Sequence, residues 1–270
     1  MNAIKYYAAT GACMVKLNLQ GQMEYPAFLI GWLLANALQF AAGIGMMWVI
    51  TNQFSDVNGW NFGHIAFMYG IAVISHGLAV VLFIQTWNID WFVINGDFDR
   101  MLLRPMNMYF QFCFFYINLI GLTDMIPGII IFIFGVVATG FSFSLGGVFA
   151  LLLVLVGATM IRGGLFTITG SIGFWTKNTG NLTEVVHNLS TRTNMYPLTI
   201  FNWATQAVLT FLLPLGFIAF YPAGYFLDMD MGFSFLGYMP LWVFLVGVVC
   251  ILLGRALFNA GLRYYDSTGN

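Results

Sequence analysis

Long apolar segments alternate with short polar ones along almost the whole chain. Each apolar segment is close to or above the roughly 20 residues that a helix needs to cross about 30 Å of hydrocarbon. The segments are Ala27–Ile50, Ile65–Thr86, Cys113–Phe141, Leu145–Ile172, Leu198–Tyr221 and Leu241–Leu257. The pattern therefore predicts an all-α, polytopic membrane protein with about six transmembrane helices and a single transmembrane domain over residues 1–270.

Two polar segments between these runs also have helical periodicity. In residues 1–25, apolar side chains recur at helical spacing among polar ones, which indicates a helix lying in the membrane interface. In residues 176–197, an apolar stripe follows Asn181, which is a suitable N-cap residue. We therefore predict an N-terminal interfacial helix and a cytoplasmic surface helix over residues 176–197.

The lysines and arginines of the connections lie on one side of this topology. If the connections are numbered alternately, that side receives both termini and residues 88–107 and 176–197. Its cations are Lys5, Lys16, Arg100, Arg104, Lys177, Arg192 and Arg263. The opposite loops, Thr51–His64 and Tyr221–Pro240, contain no lysine or arginine. Because cytoplasmic loops carry the excess of positive charge, both termini are predicted to be cytoplasmic.

Composition and motifs narrow the function further. The chain is 60% hydrophobic and 7% charged, and its formal net charge of −1 argues against a nucleic-acid partner. The sequence has no phosphate-binding Gly-x-x-x-x-Gly-Lys loop and no other catalytic motif. The topology assigns His64, His76 and His187 to an outer loop, the membrane and the inner surface helix. We therefore expect no shared metal site and no catalytic residue.

Two charges of opposite sign interrupt the third and fourth apolar runs. Asp124 and Arg162 lie about equally far from the tight turn that joins these runs, so they are expected at similar depth. A charge at the bilayer centre costs roughly 2.5 to 3.5 kcal/mol on insertion scales, which favours pairing. The sequence thus predicts an intramembrane charge pair, acting either as a structural brace or as part of a substrate path.

Two further segments have candidate functional residues. Residues 88–107 combine acidic, aromatic and basic side chains, which is consistent with either a short docking helix or a solvated connection. At the start of the third run, aromatic and polar residues are candidates to line a substrate path, with lipid-facing aromatics as the alternative. These candidates are Phe110, Phe114, Tyr116 and Asn118.

Residues 94–105, Ile-Asn-Gly-Asp-Phe-Asp-Arg-Met-Leu-Leu-Arg-Pro, resemble a loop of the ABC-2 type transporter permeases in a bacterial six-helix branch. Two further stretches resemble the same branch. Residues 196–201 together with 209–215 resemble its entry into the fifth helix, and residues 261–266 resemble its C-terminal signature. The likeness spans nearly the whole chain, with the three motifs in the same order.

The resemblance implies the permease subunit of an ATP-driven exporter in the bacterial inner membrane. Its partners would be a second permease, identical or related, and cytoplasmic ATPase subunits. The permease would bind no cofactor, since ATP and Mg²⁺ belong to the ATPase. Residues 88–107 would be the cytoplasmic coupling loop. The implied ATPase-coupling residues are Asp97, Phe98, Asp99, Arg100, Leu103 and Arg104.

Two other function classes remain open at the level of the sequence. One is a proton-coupled secondary transporter with Asp124 as the carrier residue and no ATPase. The other is a membrane scaffold that transports nothing. Co-purification of an ATPase, or proton-coupled flux by the chain alone, distinguishes these possibilities.

Overall fold

The computed structural model describes residues 3–54, 58–115, 117–229, 231 and 237–266, and their regular structure is helical. This confirms the predicted all-α fold class. The helices are α1 (Ala3–Met23), α2 (Pro26–Phe54), α3 (Phe62–Phe83), α4 (Ile89–Ile94), α5 (Asp97–Leu102), α6 (Met108–Phe115), α7 (Ile120–Thr139), α8 (Leu145–Ser171), α9 (Gly173–Thr176), α10 (Gly180–Thr193), α11 (Trp203–Ala207), α12 (Phe220–Phe226) and α13 (Met239–Leu262).

Five helical segments in the described residues are long and apolar enough to cross a membrane. They correspond to five of the six predicted runs. The segments are Pro26–Gln53, Phe62–Ile94, Ile120–Thr139, Leu145–Thr176 and Met239–Leu262. They form a bundle with two ends. We call them the Asp90 end, where α3, α8 and α13 finish, and the Asn58 end, where these three helices begin.

Glycines spaced seven residues apart join α3 to α7. Gly63, Gly70 and Gly77 lie along α3, and Gly121, Gly128 and Gly135 lie along α7 in the antiparallel direction. A Cβ atom added to Gly70 would lie 2.5 Å from the backbone of Phe132. Small residues allow two helix backbones in a membrane to approach this closely, and packing then replaces the hydrophobic effect as the attractive force.

A second glycine seam joins α8 to α13, which run parallel to each other. A Cβ atom on Gly157 would lie 2.7 Å from the backbone of Phe244, and one on Gly164 would lie 2.6 Å from Cys250. On α13, Gly247, Gly254 and Gly261 again recur at intervals of seven. The α3–α7 and α8–α13 pairs, joined through α3 and α8, form the centre of the bundle.

The segment predicted as a cytoplasmic surface helix is placed differently in the structure. At the start of α10, the amide of Thr179 donates to the Asp90 carboxylate at 2.8 Å. Beyond its other end, the Asn58 amide donates to the carbonyl of Thr199 at 2.9 Å. Residues 179–199, which contain α10 and are called the α10 segment below, therefore extend from one end of the bundle to the other. The small polar residues Thr183 and Ser190 of α10 are buried against the bundle. The apolar stripe of α10 predicts the opposite, because it favours the apolar face as the buried one.

The fifth predicted run, Leu198–Tyr221, is not one continuous helix. It contains a 3₁₀ turn at Leu198–Ile200, then α11, a π-helical turn at Val208–Leu212 and an irregular stretch before α12. Pro214 has no backbone N–H to extend a helix. After the break, α12 packs at the Asn58 end, where Phe220 stacks on Trp60 with ring centroids 5.3 Å apart. The α10 segment thus supplies the sixth passage along the bundle.

The N-terminal helix α1 packs against α6. Its Gln22 side chain accepts a hydrogen bond from the amide of Leu119 at 2.8 Å and donates to the carbonyl of Ile117 at 2.5 Å. These contacts fix the break between α6 and α7. Parts of the cation-free loops, at residues 55–57, 230 and 232–236, lie outside the described residues.

Candidate functional site

Helix α5 forms a short projection at the Asp90 end of the bundle. Gly96 precedes it with φ of +71°, a left-handed conformation that suits glycine and turns the chain between α4 and α5. The side chain of Arg100 is 82% exposed and contacts Asp97 at 2.6 Å. Leu103, directly after the helix, is 85% exposed. An exposed apolar side chain beside exposed charges makes this surface suitable for contact with another protein.

Phe98 anchors α5 in a cluster of aromatic rings. Its centroid lies 5.3 Å from the rings of both Phe112 and Phe174 and 6.1 Å from Phe258, so α6, α9 and α13 all contact it. Phe98 is fully buried. The ring is therefore covered by this chain's own residues and is not part of the exposed surface of α5. It instead joins α5 to the ends of the long helices.

The C-terminal segment also contacts α5. The hydroxyl of Tyr265 donates to Asp99 at 3.0 Å, and its ring lies 5.5 Å from Phe98. Burial, together with the neighbouring carboxylates of Asp99 and Asp97, raises the pKa of Tyr265 to about 12. The phenol therefore remains a hydrogen-bond donor at neutral pH. Asp99 is thus bonded within the chain, whereas Arg104 stays exposed.

A second group of polar residues lies inside the bundle, around His76 on α3. The Asn36 amide on α2 donates to the carboxylate of Asp124 on α7 and to the hydroxyl of Thr123. The Nε2 atom of His76 lies 3.6 Å from Oδ2 of Asp124. The His76 ring also lies 5.1 Å from the ring of His187 on α10. Four helices therefore meet at one polar cluster.

Arg162 has partners of its own. It is 2% exposed, and its guanidinium donates to the hydroxyl of Ser190 at 2.9 Å and to the carbonyl of Ala72 at 3.4 Å. No ion pair joins Arg162 to Asp124 in the part of the chain that the structure describes. The structure therefore does not bring the two residues of the predicted charge pair into contact. The two charges do lie at a similar level, since both are close to His76, but α10 enters the bundle and gives Arg162 a different partner.

Comparison with known proteins identifies the family. The model of the ABC-2 family transporter protein matches residues 37–269, which is most of the chain. The chain belongs to this family. No curated protein and no solved structure matches it. It is therefore an ABC-2 permease, the membrane component of an ABC transporter.

The path-lining candidates of this ABC-2 permease do not form one group. Asn118 lines a cavity beside the His76 cluster. Phe110 faces α1, where its ring lies beside Gly11. The side chain of Phe114 and the whole of Tyr116 lie outside the described residues. The break between α6 and α7 separates Asn118 from the aromatic residues before it.

Sequence reasoning missed the contact between the histidines of this permease. His187 was expected at the inner surface and His76 in the membrane, which excluded a common site. The small hydroxyl residues of α10 are the sequence feature that could have predicted this contact. Thr183 and Ser190 are seven residues apart on the same helix face as His187, and a face of small polar residues can pack inside a helix bundle. Among the described residues, no three side chains of the metal-binding types are close enough to share a metal ion.

Proposed function

We propose that this ABC-2 permease is one half of the membrane part of an ATP-driven exporter in the bacterial inner membrane. A second permease, identical or related, would complete the translocation path. The observation that carries the proposal is the geometry of α5, with an exposed outer surface and an inner face buried among the long helices. Such a helix can receive a force from a partner and transmit it to the bundle.

The proposed mechanism follows from the contacts of Phe98. When ATP binding closes the ATPase subunits, they push on the surface formed by Arg100, Leu103 and Arg104. The Phe98 ring contacts α6, α9 and α13, so a displacement of α5 moves the ends of these helices together. Close packing of the aromatic cluster makes it transmit strain rather than absorb it. ATP and Mg²⁺ would be bound by the ATPase.

The charge distribution supports a cytoplasmic position for α5. Arg100, Arg104 and Lys177 belong to the Asp90 end, and the exposed loop residues described at the Asn58 end include no lysine or arginine. Arg192 is an exception to the expected distribution, because it lies in the last turn of α10, on the way to the Asn58 end. The five apolar helices and the α10 segment together make six crossings, an even number, so the chain begins and ends at the Asp90 end of the bundle. Both termini would then be cytoplasmic, as the positive-inside rule requires.

Co-purification tests the exporter proposal. The tagged permease, extracted in a mild detergent from its native membrane, should retain an ABC ATPase subunit and a second permease, and the complex should hydrolyse ATP. Replacing Leu103 with Asp should release the ATPase, whereas the same change at Leu145, an equally exposed leucine at the Asn58 end, should not. Recovery of the permease without an ATPase under conditions that keep the two permeases together would reject the proposal.

A proton-coupled transporter is the second candidate, because Asp124 and His76 are two titratable groups in contact inside the bundle. Reconstituted alone in liposomes, the chain would then catalyse flux driven by a pH gradient. The exporter proposal expects no such flux without the ATPase.

A further inference from the structure

A cavity of about 320 Å³ lies between α2, α3, α7 and α10, next to the polar cluster around His76. Its polar wall contains Asn36, His76, Asp124 and His187. Its aromatic wall includes Trp32 and Trp87. Ligand pockets are mostly apolar with a few convergent polar groups, and they begin at about 300 Å³, so this cavity suits a compact organic molecule.

The charge of the cavity is set by Asp124. The described residues that line it include no lysine or arginine. Arg162 instead lines an adjoining space of about 10 Å³ beyond His76, and its guanidinium is held by Ser190 and the carbonyl of Ala72. The charged group nearest to a ligand is therefore a carboxylate, which favours a cation over an anion.

The Asp124 carboxylate has room for another hydrogen bond. The Asn36 amide donates to Oδ1, and His76 lies 3.6 Å from Oδ2. An ionised carboxylate has about four lone-pair sites, so these two neighbours leave acceptor capacity on the cavity side. Asp124 is buried, and a buried carboxylate is costly without a positive partner. A ligand cation would supply that partner.

The two tryptophans provide a suitable surface for the rest of a cation. Indole is the most favourable ring for a cation–π contact, and aromatic walls are a common way to recognise an ammonium group. The Trp87 ring is itself fixed by packing, 4.9 Å from His187 and 5.4 Å from Phe166. Trp32 lies on α2 and is partly exposed, so it borders the open side of the cavity.

We infer that this cavity binds an organic ammonium ion with a compact apolar body. Asp124 is the counter-ion, and Trp32 and Trp87 are the aromatic walls. That the ligand is a transported cargo rests on the proposed exporter function, whereas its binding is a property of this chain alone. The ammonium group could belong to a free amine or to the headgroup of phosphatidylethanolamine.

Equilibrium binding tests the site. The full chain is placed in nanodiscs of phosphatidylglycerol and titrated by calorimetry with benzylammonium, its neutral isostere ethylbenzene and the anion benzenesulfonate. The cation should bind at least tenfold more tightly than the neutral compound, and the anion should not bind. Asp124→Asn should weaken binding of the cation at least tenfold. Asp228→Asn, at an exposed aspartate in a left-handed conformation that asparagine tolerates, should leave it unchanged.

Two further arms complete the test. Trp32→Leu, at a partly exposed position that folding tolerates, should weaken binding of the cation several-fold and decides the matter if Asp124→Asn does not fold. Adding phosphatidylethanolamine to the nanodiscs should weaken binding of the probe if the site takes a lipid headgroup, and should not change it if the site takes a free amine.

Equal binding of the neutral isostere, or unchanged affinity in the Asp124 and Trp32 variants, would overturn the inference. A chain that binds the probe but recruits no ATPase would reject the exporter and keep the site.

Discussion

Gly77 on α3 faces Gly121 on α7, and a Cβ atom added to Gly77 would lie 2.5 Å from the carbonyl oxygen of Gly121. Two helix backbones are therefore in direct contact at the level of the His76 cluster. The contact recurs every seven residues along both helices. This contact fixes the depth of Asp124 relative to His76, because His76 directly precedes Gly77 and Asp124 lies one turn after Gly121.

The first prediction concerns this contact. Gly121→Leu should separate α3 from α7 and strongly lower the yield of folded protein, since overpacking a tight contact costs about 1 to 3 kcal/mol or more. Gly31→Leu on α2, where an added Cβ meets nothing within 4 Å, should leave the yield unchanged. Size-exclusion chromatography with fluorescence detection measures both variants. A normal yield for the Gly121 variant would contradict the close approach.

The second prediction concerns the path of α10. Single cysteines are placed at Ser142, Asn178 and Trp203 in a background without Cys13, Cys113 and Cys250. An impermeant thiol reagent added outside should label Ser142→Cys and Trp203→Cys, because both belong to the Asn58 end. It should label Asn178→Cys only after permeabilisation. Trp203 follows Thr199, whose carbonyl accepts a hydrogen bond from Asn58, and its side chain is 82% exposed, so the rest of the described chain does not cover it.

The labelling of Trp203→Cys separates two topologies. If residues 198–221 formed the fifth crossing, this position would be buried in the bilayer and unreactive from either side. If α10 makes the crossing, Trp203→Cys reacts from outside. If Trp203→Cys is not labelled from either side, residues 198–221 form the fifth crossing, as the apolar runs predict.

The third prediction concerns the outer surface of α5. Arg100→Gln combined with Arg104→Gln should weaken ATPase binding about tenfold or more, because hydrogen bonds to charged groups contribute about 1.5 to 3 kcal/mol each. Transport-stimulated ATP hydrolysis should fall with it, while membrane insertion stays normal. Lys16→Gln, which removes an exposed cation from α1, serves as the control. Unchanged hydrolysis in the double variant would remove α5 from the coupling surface.

The fourth prediction concerns the contact between Tyr265 and Asp99. Tyr265→Phe keeps the ring in the aromatic cluster and removes the hydroxyl, so it should destabilise the packing of α5 by about 0.5 to 1.5 kcal/mol. Hydrogen exchange of the α5 amides should increase. Tyr264→Phe, at the exposed neighbouring residue, should have no effect. If Asp99→Asn and Tyr265→Phe have fully additive effects on exchange, the two side chains do not interact.

The fifth prediction concerns the two buried charges. Asp124→Asn and Arg162→Gln should each destabilise the protein, and because the two side chains have different hydrogen-bond partners, the double variant should be no more stable than either single variant. A direct ion pair would instead make the double variant recover part of the loss. Thermal unfolding in detergent, followed by tryptophan fluorescence, measures all three variants.

The partner of Arg162 can be tested in the same way. Ser190→Ala leaves the buried guanidinium with one acceptor fewer, which should cost about 1 to 3 kcal/mol. Ser171→Ala is the control, because the Ser171 hydroxyl donates to a carbonyl of its own helix, at Thr167. Equal melting temperatures for the two variants would show that Ser190 does not hold Arg162.

The amino-acid sequence by itself determined the fold class and the family. Five of the long apolar runs became long helices, since the length and composition of such a run decide whether it can cross a bilayer. The charged motif from Asp97 to Arg104, together with two later motifs, pointed to the ABC-2 family that the comparison confirmed. These properties are local, and a linear sequence contains them completely.

Only the tertiary structure decided which residues meet. Phe98 lies next to exposed charges in the sequence, yet rings from three other helices bury it. Asp124 and Arg162 have opposite charges at similar depth, but Asn36, His76 and Ser190 come from distant parts of the chain and bind them separately. Such contacts depend on how helices rotate and pack against one another. The glycine seams and the buried polar face of α10 fix that rotation, and neither is visible as an apolar stripe.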